Sequence, residues 1–198
     1  QDSATKLSKK RENSAKKLTK AVNNQLKSLA MSNANLHIAL KAYEVPSRNG
    51  LEDIEFLIST NPGQPHQPLA KIASGGELSR ISLAIQVVTA KTSATPTMVF
   101  DEVDVGIGGA TADTVGKLLR ELGDKGQVIC VTHLPQVASK AHQHLQATKA
   151  TSKKAAQSML LKLQGETKIQ EIARMLGGAD ITEQSIAHAE EMLSAKAG

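Results

Sequence analysis

Ile72-Ala73-Ser74-Gly75-Gly76-Glu77-Leu78-Ser79-Arg80 is a small-residue turn that runs straight into an apolar periodic stretch, and its reading decides the fold. Leu78, Ile81, Ile85 and Val88 recur at steps of three and four, so the spacing predicts an amphipathic helix with that face on a core. Ser74 stands where an N-cap belongs. Two consecutive glycines let the backbone approach a ligand, while a helix start leaves unpaired N–H donors and a partial positive charge. Together these suit an anion, phosphate above all. An ordinary capped helix after a loop has the same local pattern, and the downstream segments decide between the two.

Thr97-Met98-Val99-Phe100 is a short apolar run that ends in Asp101-Glu102, and it reads as a buried strand delivering two carboxylates at its C-terminal end. Val128-Ile129-Cys130-Val131 is a second such run, with Thr132-His133 directly after it. Between them lie the loop Asp104-Val105-Gly106-Ile107-Gly108-Gly109 and a helical stretch from about Ala110 to Leu122. Strand, helix, strand is the pattern of a parallel sheet, whose C-terminal edge is where ligands bind.

This order of segments resembles the second half of an ABC-type ATPase head. The longer strings from Pro68 to Arg80, Val99 to Gly109 and Val131 to Ala138, with Glu171-Ile172-Ala173-Arg174-Met175-Leu176-Gly177-Gly178, are similar to the RecN family of bacterial SMC-like DNA repair ATPases. The likeness covers most of the chain from about Asn35 onward. It implies an α/β fold: the C-terminal lobe of an ABC/SMC-type ATPase head, a P-loop NTPase fold incomplete without its N-terminal lobe. It also implies roles for single residues. Ser74, Gly75, Gly76 and Glu77 would be the signature that clamps the γ-phosphate of ATP held by a second head. Asp101 would hold Mg2+ through water, since this ion gives up its hydration reluctantly. Glu102 would polarise the attacking water as general base, His133 would bond and sense the terminal phosphate, and Asp104 would order the interface between two heads. Taken singly, each carboxylate reads as a surface strand end and His133 as a turn histidine; it is the joint occurrence in this order that favours the ATPase reading. Ala73 departs from the Leu of many ABC signatures but leaves the phosphate-facing Ser-Gly-Gly unchanged.

The chain contains no Gly-x-x-x-x-Gly-Lys-Ser/Thr, the loop whose backbone and lysine cradle phosphates. In the resembled family that loop lies in an N-terminal portion separated by a coiled coil. The chain is therefore expected to be a C-terminal portion that needs the N-terminal head lobe and a second head, as a homodimer, to build composite ATP sites. Hydrolysis by this chain alone is not expected. The uncovered edge of the lone sheet should favour pairing with another chain. The resemblance further implies a role in double-strand break repair and recombination, with DNA as partner. Two other classes fit parts of the pattern: a non-catalytic interaction or dimerisation module, and the nucleotide-binding half of a transporter, which the lysine-rich lead-in disfavours. The head of a related chromosome-organising SMC protein is a nearer neighbour.

The 198 residues, 40% hydrophobic, can bury one good core, and the scarcity of aromatics (Tyr43, Phe56 and Phe100) argues against base stacking as a mode of binding single strands. A net charge of +5 favours an acidic partner. The lone Cys130 offers no disulfide, no signal peptide precedes the chain, and no apolar run is long enough for a bilayer; a cytoplasmic, nucleoid-associated bacterial protein with no membrane partner is expected. Residues 1–33 carry Lys6, Lys9, Lys10, Arg11, Lys16, Lys17, Lys20 and Lys27 against only Asp2 and Glu12, with Ala15, Leu18, Val22, Leu26 and Leu29 as an apolar stripe. A narrow stripe with a charged remainder suits helix pairing, and the resemblance makes it the end of a coiled coil returning to the head, residues 34–198 being the head lobe itself. A solvated amphipathic helix packed on its own domain shows the same stripe.

The remaining segments read as packing elements. Leu36, Ile38 and Leu40 alternate, as do Ile54, Phe56 and Ile58, which predicts an antiparallel strand pair. Strands are expected at 144–149 and 159–163, joined by a polar turn at 151–154, and helices at 135–140, 166–176 and 181–193. His142 and His144 lack a third ligand and read as surface histidines.

Overall fold

The computed structural model describes residues 2–90, 92, 95–151, 156–178 and 180–195. They divide into two compact units, residues 1–95 and 96–198.

The first unit opens with helix α1 (Asp2–Ser28), whose last turns alone are sunk: Val22, Leu26 and Leu29 are fully buried, against β1, β2 and α2. Asn23 locks this end to the sheet. Its amide donates to the carbonyl of Leu36 at 3.0 Å and accepts from the N–H of Leu36 at 2.7 Å, occupying a strand's donor and acceptor as a neighbouring strand would. Strands β1 (Asn35–Ser47) and β2 (Gly50–Ser59) pair antiparallel with Leu36 opposite Ile58, Ile38 opposite Phe56 and Leu40 opposite Ile54. The two alternating triplets thus face one another as expected. Both strands run further than their apolar alternation shows, because a tight turn at 47–50 keeps the arms paired beyond the buried part. Gly50 has φ 121° there, and a Cβ would stand 2.5 Å from the Arg11 guanidinium. The short strand β3 (Gln67–Pro68) adds to the free side of β2, and a 3-10 turn (Leu69–Lys71) leads to α2 (Gly75–Thr89).

The buried face of α2 is rotated from the expected one. Ile81 is inside, but Leu78 is 40% exposed, while Arg80, Leu83 and Ala84 are buried. A guanidinium occupies a position that hydropathy assigns to solvent, and Leu78 turns outward in consequence.

In the second unit β4 (Thr97–Phe100) and β5 (Gln127–Cys130) pair in parallel, in register from Thr97–Gln127 to Phe100–Cys130, and α3 (Gly109–Gly123) is the crossover. Ala112, Val115, Leu118, Leu119 and Leu122 form the buried side of α3. Helix α4 (Pro135–Ala138) crosses it at Gly116, where a Cβ would meet the Gln136 carbonyl at 2.9 Å. The other face of the two strands is bare: Val99 is 67% exposed, and Ile129 and Val131 are also open. The hairpin β6 (His144–Thr151) and β7 (Ala156–Leu163) comes next, with residues 152–154 of the turn expected at 151–154 outside the described residues. Helices α5 (Glu166–Gly177) and α6 (Glu183–Ser194) then pair through Ile172, Ala173, Ala189 and their neighbours. Gly178, at φ 77°, stops α5, and Thr182 and Ser185 cap α6 reciprocally.

Helix α1 ends in a Schellman-type turn in which Met31 N–H bonds the carbonyl of Leu26 at 3.1 Å and Ala30 takes φ 56°. Alanine in that region costs about 1 kcal/mol relative to glycine. Ala30→Gly is expected to raise the unfolding free energy by that increment, moving the urea midpoint up by the increment divided by the slope of the transition and leaving the slope itself unchanged; an unchanged or lowered midpoint would show that the turn relaxes at no cost.

Candidate functional site

In the first unit, Ser74 is extended (φ −94°, ψ 115°), and its Oγ accepts the N–H of Glu77 at 3.3 Å, the N-cap geometry its sequence position predicts. The first i→i−4 bond runs from Leu78 N–H to Ser74 C=O at 3.0 Å. Ser74 and Gly75 are exposed, Gly76 is buried, and Glu77 is half-buried on the first turn. The first-turn amides, which have no acceptor inside a helix, therefore belong to an exposed, glycine-built surface. Beneath it lies a cavity of about 180 Å³ lined by Ala30, Met31, Asn33, Thr60, Glu77 and Arg80, among others. Burial lowers the pKa of Arg80 from its ordinary value, and the nearby charge of Glu77 opposes that shift.

The second unit holds the other predicted residues. Strand β4 buries Phe100 and releases Asp101 and Glu102 into solvent at its C-terminal end. Glu102 adopts φ 56°, a left-handed conformation rarely used by residues other than glycine, and its N–H is held by the Asp101 Oδ1 at 2.9 Å. Strain of this kind collects at functional positions and persists because the surroundings hold it. Val105 N–H caps the turn on the carbonyl of Glu102 at 3.2 Å.

Asp104 is the buried member, 2% exposed. Its Oδ2 accepts the Thr132 hydroxyl and, at 3.2 Å, the backbone N–H of His133, while His133 Nδ1 stands 3.4 Å away. Thr132 Oγ1 in turn accepts the N–H of Leu134 at 3.1 Å. One carboxylate thus ties the loop after β4 to the loop after β5, and leaves the His133 ring largely in solvent on a fixed backbone. The structure brings Asp101, Glu102, Asp104 and His133 together at one edge of one unit; Ser74, Gly75, Gly76 and Glu77 belong to the other unit.

Sequence reasoning missed Thr132 and Arg80. A hydroxyl residue directly before the strand-end histidine was the available signal for the first. The second carried none, since an arginine six residues past a cap is an ordinary surface residue. His142 bonds Asp124 at 2.8 Å and His144 is turned inward, its pKa lowered by burial and by Lys168, so the two histidines do not share a ligand. Among the described residues no cluster of three or more His, Cys, Asp or Glu could cage a metal, and no helix is long and apolar enough to cross a membrane.

This geometry sets two expected outcomes. Asp104→Ala strands the Thr132 hydroxyl and the His133 N–H, and should lower stability by roughly 2–4 kcal/mol in chemical denaturation; a loss below about 0.5 kcal/mol would mean that water replaces the carboxylate. Cys130 should resist alkylation. Burial, with Asp104 and Asp101 nearby, pushes its thiol up to about 12, so iodoacetamide at pH 8 should react at least about 100-fold more slowly than with free cysteine, and the rate should keep climbing with pH past the ordinary thiol range.

No family model matches the chain. It is 51% identical over 193 residues to the DNA repair protein RecN of Vibrio cholerae and 49% identical over 194 residues to that of Haemophilus influenzae, alignments that take in 97% and 98% of this chain. The chain spans about 35% of the length of these relatives. Among solved structures, the Smc head domain with a coiled coil and joint from Pyrococcus yayanosii superposes with a TM-score of 0.57 at 18% identity, over 85% of this chain and 31% of that one, and so shares its fold. Over the third of their length that it spans, the chain belongs to the RecN family of DNA repair proteins.

Proposed function

We propose that this chain is the signature-bearing and base-bearing lobe of an ATP-hydrolysing head, which joins a second head over bound nucleotide and thereby controls DNA association. The observation that carries the reading is the turn after β4. Two exposed carboxylates, one in a strained conformation, stand beside a histidine whose backbone is fixed by a buried aspartate.

The donor set suits Mg2+ bound to a nucleotide. That ion takes one or two carboxylates together with phosphate oxygens and water rather than a cage of protein ligands, and Asp101 at the strand end offers one such carboxylate, in line with the absence of a cage among the described residues. Held there with nucleotide, the ion would supply charge to offset the phosphates. Glu102 then acts as general base, an exposed carboxylate on a left-handed backbone directly after the strand end. His133 presents its ring to the terminal phosphate from a backbone held by Asp104. Ser74, Gly75 and Gly76, with the first-turn amides of α2, supply the anion surface for the phosphate carried by the second head. Asp104 would order the head interface indirectly, through the loops it ties, since its carboxylate is engaged inside its own unit.

The bare face of β4 and β5 supports a further strand and helix layer from an N-terminal head lobe, because parallel strands are stable when both faces are covered. The same lobe would supply the phosphate loop that the sequence lacks. Residues 1–33 fit the end of a coiled coil in that the fully buried residues of α1, Val22 and Leu26, lie in its last turns, with Arg11 tying its first half to the β1–β2 turn by hydrogen bonds.

ATP turnover with Mg2+ should be absent for this chain alone, appear on mixing with the N-terminal portion of its own protein, and rise more than linearly with concentration. Glu102→Gln should cut turnover at least about 100-fold while engaged dimers accumulate on ATP, and Ser74→Arg should abolish both. Mixtures that bind ATP and never hydrolyse it would establish instead a non-catalytic dimerisation module.

A further inference from the structure

Helix α1 holds eight lysines and arginines against two carboxylates, and so carries more positive charge than the whole chain's net of +5. Their placement is not scattered. At 3.6 residues per turn, Lys6, Lys9, Lys10, Lys16, Lys17, Lys20 and Lys27 fall within roughly 120° of arc, centred about 180° from the stripe of Leu18, Val22, Leu26 and Leu29. All seven are exposed. Arg11, the one basic residue on the apolar side, is instead turned into the sheet, bonding Glu52 at 3.2 Å and the Asn49 carbonyl at 2.7 Å. Lys6 is paired with Asp2 and Lys16 with Glu12, both at 2.7 Å, whereas no ion pair among the described residues engages Lys9, Lys10, Lys17, Lys20 or Lys27. The helix is about 40 Å long at 1.5 Å per residue, and packing consumes only its other face.

We infer that this lysine face is a contact surface for the phosphate backbone of duplex DNA, an assignment of the DNA partner that rests on the proposed function. The chemistry fits that partner closely. Seven ammonium groups on one side of a straight rod match a polyanion with a regular charge spacing, and the absence of aromatics from α1 excludes base stacking, which points to backbone contact without sequence preference. The face also stays free if a second helix lies along the apolar stripe, so coiled-coil pairing and DNA contact do not compete for the same side chains.

The test is fluorescence anisotropy of this chain with a 30-base-pair duplex, without nucleotide, between about 50 and 200 mM salt. If five lysines each release a counterion, log K should fall against log salt with a slope of about −4.5. Lys9→Gln/Lys20→Gln/Lys27→Gln, which keeps helix propensity, should weaken binding at least about tenfold at 50 mM and reduce that slope by about 2.7. Lys125→Gln/Lys149→Gln/Lys162→Gln removes the same charge from exposed sites of the other unit and should change little. Equal losses in the two triple variants would reduce the effect to net charge and overturn the inference, as would absence of duplex binding at 50 mM. Displacement of the duplex by polyglutamate at equal charge would overturn it in favour of an acidic polypeptide. Turnover assays on the same proteins keep the two readings apart: ATP hydrolysis with DNA binding indifferent to α1 defeats this inference alone, and lysine-dependent binding without hydrolysis in any mixture defeats the ATPase reading alone.

Discussion

A carboxylate shut away from water must be met by donors or it unfolds what surrounds it, and Asp104 imposes that condition on the second unit. Its donors come from the far side of the crossover, the hydroxyl of Thr132 and the N–H of His133, so the loops after the two parallel strands cannot move independently. Much of the local chemistry depends on this tie. Past the buried Phe100 the chain releases Asp101 and Glu102 to solvent and then brings the Asp104 carboxylate inward, with Glu102 in a left-handed conformation at the turn. The strain at Glu102 and the burial of Asp104 are two ends of one constraint.

The fold was legible where the signal is periodic or where a residue type has one use. The facing triplets of β1 and β2, the Ser74 cap, the strand pair around an amphipathic crossover and the glycine stop after α5 all derive from spacing and from backbone limits on serine and glycine. The candidate site residues could be named in order from the sequence, and the structure brings Asp101, Glu102, Asp104 and His133 to one edge of one unit. What no pattern announces is which polar groups go inside. Asp104 is buried because Thr132 and His133 surround it, and those partners lie far along the chain, while Arg80 is buried where hydropathy assigns it to solvent. Ala30 and Glu102 have left-handed backbones that the residue types argue against, so tertiary constraints set them and only coordinates reveal them. The rotation of α2 belongs to the same class: burying Arg80 turns Leu78 outward, and hydropathy has the two reversed.

The two strands of the parallel sheet differ in how well their faces are served. Phe100 is sealed, whereas Val99, Ile129 and Val131 are left to solvent on the opposite side. A two-stranded parallel sheet covered on one side is below what such sheets need for stability in isolation. The residues proposed for chemistry stand at the edge of this same sheet. On the proposed function, a lobe covering the bare face would also bear on the positions of Asp101, Glu102 and His133, so that completing the fold and completing the site would be one event.

The first unit handles its charge in the opposite manner. There the sequence segregates lysine from leucine around a single helix, whose last turns are anchored by buried leucines and by the Asn23 amide standing in for a strand, and whose first half is tied to the β1–β2 turn by Arg11. The apolar side of this helix is turned to its own sheet and its lysine side to solvent, so packing leaves the cationic face clear. Its anchored end lies against the helix that carries Ser74, and the turn at Ala30 to Asn33 shares a cavity wall with Glu77 and Arg80. The end of α1 and the turn before α2 thus share packing within one unit, and if Ser74 to Glu77 form the proposed anion surface, any coupling between a ligand there and the helix must be reciprocal.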